Sequence, residues 1–195
     1  MTARTGLADI ITVLRGLTQA GTADFAIGTT SYFNDDQLQI VLDRHRMDID
    51  RELLQPVPGV LGGGTLEYKN YYSQFKNLES GTAIFNLENA NGTDYGTALW
   101  TADYLNGRVA FGSDTAGSSV FLIGRAYDLN AAAADVWTQK SGAAATMYDF
   151  STDNHSLKRS QYYDHCIKQA AYFSGMSWSN GQSIDLDRSD THAYR

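Results

Sequence analysis

Cysteine, proline and charge are all scarce in this chain of 195 residues. Its one cysteine, Cys166, excludes an intrachain disulfide and a metal cage built from thiolates. Charged residues make up 19% and leave a formal charge of −7, which argues against the clustered basic surface that nucleic-acid binding needs. Apolar runs are too short to span a bilayer, and the first residues lack the layout of a signal peptide. We therefore expect a cytosolic assembly site and no membrane partner.

Two amphipathic helices are predicted in the first part of the chain. Apolar residues recur at three- and four-residue steps over Thr5–Gln19, which places them on one helical face. A second helix is predicted to open at Asn34, where Gln37 stands at the position of a capping-box partner. Its apolar stripe includes His45 and continues to Leu53, and the two prolines that follow are expected to end it.

A β-rich region is predicted after the prolines, because the period of the apolar pattern changes from 3.6 to two. Gly62, Gly63 and Gly64 are expected to form a flexible joint before it. Asn106-Gly107 is typical of a tight hairpin turn, since both residues tolerate a positive φ. The predicted strands are Leu66–Ser73, Ala83–Leu87, Ala98–Leu105, Arg108–Gly112 and Ser119–Arg125.

Helical patterns return after the β-rich region. Asp128 or Asn130 is predicted to cap an alanine-rich helix that runs to about Ala145, and small side chains of this kind favour close packing. A fourth helix is predicted from about Ser156 to Ser174. Its predicted inner positions are Leu157, Tyr162, Cys166, Ile167, Ala170 and Phe173.

The predicted fold class is therefore α+β: a four-helix bundle with an inserted antiparallel β-hairpin module and an extended C-terminal arm. The predicted segments are a first helical part over residues 1–58, a β-rich insertion over 59–126, a second helical part over 127–175 and the arm over 176–195.

The arm combines polar residues with spaced apolar ones and has no sustained period. One interpretation is a loose chain end. The other is a segment that becomes ordered against a partner, with its apolar residues as anchors. The predicted partner-interface residues are Trp178, Ile184, Leu186 and Tyr194.

Catalytic, cofactor and metal sites are not predicted. The four histidines show no metal-ligand spacing with Cys166, since the adjacent His165 points to a different helical face, and a calcium-like start at Asp185 lacks the turn glycine and the twelfth ligand. The glycine run lacks the Lys-Ser or Lys-Thr of a phosphate-binding loop, and no nucleophile elbow is present. We predict that the chain is not an enzyme.

Aromatic side chains in the β-rich region permit two interpretations. Five of them could line a face on which sugars stack, which would make the region a glycan- or host-surface-binding module. The favoured alternative is that they are cross-strand packing partners in a small sheet, a setting in which aromatic residues are common. The five residues are Tyr71, Tyr72, Tyr95, Trp100 and Tyr104.

The chain resembles the head-to-tail adaptor (connector) proteins of tailed phages. The likeness rests on five stretches: LADIITVLRGLTQAG, FNDDQLQIVLDRHRMDIDRELLQPVP, NGRVAFGSDTAG, AYDLNAAAADVWTQKSGAA and YDFSTDNHSLKRSQYYDHCIKQAAYF. The most specific part is the Tyr-Asp-Leu entry into the alanine-rich helix with Trp137. The departure is the large β insertion, since the simplest members are little more than the helical bundle.

This resemblance implies a structural protein of the virion neck, assembled in the host cytoplasm. Its expected partners are further copies of itself in a ring, typically a dodecamer, the portal protein above, and a stopper or tail-terminator protein below. DNA would only pass through the lumen, where negative charge favours sliding. Another neck component, for head completion or tail termination, is the alternative within the same class.

Overall fold

The computed structural model describes residues 3–62, 64–145, 150–152, 155–157 and 159–178. The first predicted helix is confirmed as α1, Ala8–Thr18, preceded by a 3-10 turn at Thr5–Leu7. Its apolar stripe is buried, as the helical period predicts. Gln19 ends α1 in the left-handed conformation, with φ of 52°.

The second helix, α2, is Asp35–Arg44, and its predicted cap is confirmed. The Asn34 side chain accepts a hydrogen bond from the backbone N–H of Gln37, and the Gln37 side chain accepts one from Asn34. The predicted extension of this helix to Leu53 is wrong. Arg46–Leu53 is a strand, β3, because the alternation in this stretch lets Ile49 enter a sheet core once a partner strand is present.

The prolines therefore do not end a helix. They lie within strand β4, Gln55–Val60, which forms the edge of an antiparallel sheet with the order β4-β5-β8-β7. An edge strand tolerates proline, since one side of its backbone has no hydrogen-bond partner to lose. The other strands of this sheet are β5 Leu66–Tyr72, β7 Trp100–Asp103 and β8 Arg108–Phe111.

A second antiparallel sheet has the order β3-β9-β6 and contains β6 Asn86–Asn89 and β9 Val120–Tyr127. The central strand β9 is buried on nearly alternate residues and then leads directly into the third helix. Two small hairpins complete the strands: β1 Phe25–Ile27 with β2 Thr30–Tyr32, and β10 Phe150–Thr152 with β11 His155–Leu157.

The β7–β8 hairpin confirms the prediction around Asn106-Gly107, but the turn differs from the two-residue type. Asp103 pairs with Arg108, so the loop has four residues, and of its Asn-Gly pair only Gly107 has a positive φ (66°). The Asp103 carboxylate closes the loop by accepting hydrogen bonds from the backbone and side-chain N–H groups of Asn106. These bonds lower the pKa of Asp103.

The third and fourth helices are α3 Leu129–Ala145 and α4 Arg159–Gly175, which pack against each other. The α3 alanines Ala132 and Ala133 are fully buried, as the small-residue pattern predicts. The fourth helix starts later than predicted, since Ser156 belongs to β11. Ile167 is 40% exposed, so its predicted inner position is wrong, whereas Cys166 and Phe173 are buried.

The α+β class is confirmed, but the described helices do not form a four-helix bundle. They form an α3/α4 pair, with α1 and α2 packed on α3. One apolar core lies among these helices and another lies between the two larger sheets. Arg46–Leu53, expected in a helix of the first segment, is instead paired with β9. This segment is a strand instead of a helix because its pairing partner, β9, lies far away in the sequence.

Candidate partner interface

Trp178, the first predicted anchor of the arm, lies where the described chain ends. It is 42% exposed, and its ring centroid is 6.3 Å from that of Phe75 in the β-rich region. Its backbone N–H donates a hydrogen bond to Asp128 Oδ2 at 2.6 Å. The other predicted anchors, Ile184, Leu186 and Tyr194, lie outside the described residues.

One carboxylate fixes the base of the arm. Asp128 Oδ1 accepts from the backbone N–H groups of Asn130 and Ala131, both at 3.0 Å, which is a helix cap for α3. Asp128 Oδ2 accepts from Ser177 Oγ at 2.8 Å and from Trp178. The sequence predicts the helix cap, but it does not predict the bonds from Ser177 and Trp178, because Ser177 is 49 residues away.

The hairpin of β4 and β5 is the most exposed apolar element. All six β4 residues are exposed. Its large apolar side chains face outward on the strand and around the loop. They are Val57 (41% exposed), Val60 (72%), Leu61 (49%) and Leu66 (50%). The predicted glycine joint is the loop of this hairpin, since Leu61 donates its N–H to the Thr65 carbonyl across it.

An apolar groove lies between the β1–β2 hairpin and α2. Its volume is about 460 Å³. Ile27 and Ile40 project there with more than half of their surface exposed, while Phe25 and Tyr32 stack with their centroids 4.9 Å apart. Arg44 is the one charged residue in its lining.

The outer face of α4 is a third surface with exposed large apolar residues. Tyr163 is 39% exposed and Ile167 follows one turn later on the same side. Tyr172, near the end of the helix, is 61% exposed. Single exposed apolar side chains are normal on a monomer, whereas clusters of them indicate contacts, and each of these three surfaces groups two or more, so we take them as candidate contacts with other chains.

A charged network centred on the buried Glu79 carboxylate joins the helical part to the sheets. Arg4 donates hydrogen bonds to both carboxylate oxygens of Asp43 and to Glu79 Oε1, the last at 2.7 Å. The Tyr127 hydroxyl donates to Glu79 Oε2 at 2.5 Å. Glu79 has a fully buried side chain, and Arg125 lies 3.7 Å from it. The network ties the N-terminal segment, α2 and β9 together.

The network predicts a loss of stability in alkali. Burial, together with the bonded Glu79 carboxylate, raises the pKa of Tyr127 above its ordinary value of 10. A raised pKa in the folded state means that this contribution to stability is present below pH 10 and is lost as the pH rises through the folded value. Burial also raises the pKa of Tyr162, to about 12, so this phenol adds to the same loss.

We expect the denaturation midpoint to fall as the pH rises above 10. In Tyr127→Phe the fall should be shallower, because one titrating group is gone. Equal falls in the two chains would contradict this assignment, since the other eleven tyrosines are common to both.

The chain matches no protein-family model, no curated protein and no solved structure.

The five aromatic residues considered for a sugar-binding face lie mostly in the sheet core. Tyr71 is fully buried and Trp100 is 8% exposed, while Tyr95 and Tyr104 pack against the same core. Tyr72 lies on the open side of the sheet, where the Arg108 guanidinium covers its ring at 5.2 Å. This arrangement favours cross-strand packing over a stacking face for sugars.

Within the described residues, His45 and Cys166, the side chains considered for catalysis, are paired or buried. His45 follows α2 as its C-terminal cap and lies 2.9 Å from an Asp135 oxygen. Cys166 is fully buried, and burial raises the pKa of its thiol, which disfavours the nucleophilic thiolate. In the described ranges, no three His, Cys, Asp or Glu side chains are grouped to hold a metal ion, and no helix there is long and apolar enough to cross a membrane.

Proposed function

We propose that this chain is a structural subunit of a tailed-phage neck, of the head-to-tail adaptor type. In this role it forms a homo-oligomeric ring, a dodecamer, that binds the portal and provides the platform for a stopper or tail-terminator protein. It is assembled in the host cytoplasm and resides in the virion, at the junction of head and tail.

The distribution of exposed apolar side chains is the observation that carries the proposal. Neighbours in a ring meet head to tail, so each subunit must offer two unlike surfaces to its neighbours and further ones to the portal and the tail. The β4–β5 hairpin, the β1–β2/α2 groove and the outer face of α4 supply such surfaces on separate elements.

Charge and the arm support the same proposal. A formal charge of −7 on every subunit would give the ring a negative field, in which DNA slides without sticking. Asp128 fixes the chain at Trp178, so that residues 179–195 start from a defined point beside Phe75. A fixed starting point lowers the entropy cost of docking the following residues on the portal.

The test is the mass and shape of the purified protein with and without portal rings of the same phage. We expect ring-shaped particles in electron micrographs and co-sedimentation with portal rings. Deleting residues 179–195, which keeps the contacts of Ser177 and Trp178, should leave the midpoint of thermal unfolding unchanged but abolish co-sedimentation. An intact chain that neither forms rings nor binds portal rings would contradict the proposed function.

A further inference from the structure

The distal part of the β4–β5 hairpin projects beyond its sheet. Strand β8 pairs with β5 only at Asn70, Tyr71 and Tyr72, whereas β4 and β5 remain paired out to Val60 and Leu66. The loop after β8 also bonds to β5 at Tyr68, through Asp114 and Thr115, so only the residues beyond Tyr68 form a two-stranded ribbon, which is marginally stable in water by itself. We call the exposed apolar set of this hairpin the hairpin tip. It consists of Val57, Val60, Leu61 and Leu66.

The open edge of this ribbon is poorly suited to adding another strand. Pro56 and Pro58 have no N–H to donate, and a bulge interrupts the pairing between Val57 and Gly59. Pairing of another strand with this backbone edge is therefore disfavoured, so the hairpin tip would contact a partner through its side chains.

The groove between the β1–β2 hairpin and α2 has matching properties. It is concave, with about 460 Å³ of space, and its exposed apolar residues are Ile27 and Ile40. Residues 25–34 contain no charge, and neither do residues 54–66 around the hairpin tip. Both surfaces are exposed among the residues that the structure describes, so within them neither surface covers the other.

Charge argues that a second copy of this chain meets it there. Two copies with a formal charge of −7 repel each other, so a stable contact between them is favoured where the surfaces carry no carboxylate and bury apolar area. The hairpin tip, a projection, carries no charge, and the lining of the groove, a cavity, holds no carboxylate and one charged residue, Arg44 on α2.

We propose that the hairpin tip of one copy inserts into the β1–β2/α2 groove of the next copy. This inference rests on the proposed ring and names the contact that would build it. Because the projection and the cavity are different surfaces, the contact is head to tail and closes into a ring when the rotation between copies permits.

Cysteine cross-linking tests the contact, since the single native cysteine, Cys166, is fully buried. Val60→Cys and Ile40→Cys are made in separate chains, mixed and oxidised with diamide, which takes up the two thiol protons and electrons as the disulfide forms. We expect covalent pairs between the two variants and a ladder of multimers when one chain carries both substitutions. The matched control is Leu99→Cys, exposed to a similar extent (56%) outside the hairpin tip, mixed with Ile40→Cys; it should give no pairs.

A charge substitution gives a second, independent measurement. Val60→Lys should reduce assembly by about a hundredfold or more, since an unpaired ammonium would enter an apolar groove. Leu99→Lys should leave assembly unchanged, and circular dichroism checks that both variants fold. Adding Ile40→Glu to the Val60→Lys chain should restore part of the assembly by pairing the charges.

The outcomes separate this inference from the proposed function. Rings that assemble without Val60–Ile40 cross-links, or cross-links from Val60→Cys to portal or tail subunits alone, would overturn the contact and leave the neck function standing. Covalent pairs between two Val60→Cys chains in preference to the mixed pair would indicate a symmetric contact and overturn the head-to-tail arrangement. Cross-linked multimers that never bind portal rings would support the contact and contradict the neck function.

Discussion

Replacing Glu79 by glutamine is expected to lower the free energy of unfolding by about 2–4 kcal/mol. The Glu79 side chain is fully buried and accepts from Arg4 at 2.7 Å and from the Tyr127 hydroxyl. An amide presents N–H donors where at least one of these donors needs an acceptor. The cost arises at the fully buried position 79, where a donor then has no acceptor, whereas Arg4 is 30% exposed and keeps its pair with Asp43.

The matched control is Glu88→Gln. Glu88 makes an ion pair with Arg51 at 2.8 Å, but the Arg51 side chain is 40% exposed. Water compensates for the loss there, so we expect a change below about 1 kcal/mol. Urea denaturation of the two variants and the wild type measures both effects. Equal losses in the two variants would show that the Glu79 network does not join the helical part to the sheets.

Local signals in the sequence predicted the elements that depend on local chemistry. Asn34 and Gln37 form the predicted capping box, and Asp128 caps α3, because a cap needs only residues within a few positions of it. The β7–β8 hairpin was also predicted, although Asp103 makes its loop longer than a two-residue turn. These elements form with little help from the rest of the chain.

The wrong predictions concern segments whose secondary structure depends on residues far away in the sequence. Arg46–Leu53 was predicted as helix because its apolar residues fit both periods, and strand β9, more than sixty residues later, selects the extended form. The prediction of a four-helix bundle is wrong for the same reason, because the last two helical turns predicted for the second helix, Arg46–Leu53, belong to a sheet. Propensity is a weak guide in such stretches, because tertiary pairing overrides it.

Only part of the candidate interface was accessible from sequence. Trp178 was predicted as an anchor, but its contact with Phe75 and the bond to Asp128 join residues far apart in the chain. The hairpin tip was missed, because Gly62 and Gly64 suggested a joint and the prolines suggested a helix end. The charge-free stretch over residues 54–66 is the signal that could have indicated an exposed contact element.

Replacing Asp128 is expected to cause a second large loss of stability, because its carboxylate both caps α3 and holds Ser177 and Trp178 at the base of the arm. Asp128→Ala removes the cap of α3 and the bonds from Ser177 and Trp178, all made in a site where Asp128 is 6% exposed. Losing the cap costs about 1 kcal/mol, and each bond to a charged acceptor contributes about 1.5–3 kcal/mol. Since such terms are not additive, we expect a total loss of about 2–4 kcal/mol in the free energy of unfolding.

Asp128→Ser separates the two roles. Serine caps a helix well, but its single oxygen cannot also accept from Ser177 and Trp178. We therefore expect Asp128→Ser to recover about 1 kcal/mol relative to Asp128→Ala in urea denaturation, while the position of Trp178 is lost. Fluorescence of Trp178, isolated by replacing Trp100 and Trp137 with phenylalanine, should shift to the red as the ring leaves Phe75.

Portal binding then decides whether the fixed base of the arm matters for function. If residues 179–195 dock on the portal from a defined starting point, Asp128→Ser should weaken co-sedimentation with portal rings although the subunit remains folded, because the arm must be ordered from further back. The loss should be smaller than that caused by deleting the arm. Unchanged binding by Asp128→Ser, combined with lost binding on deletion, would show that the arm docks without its base being held.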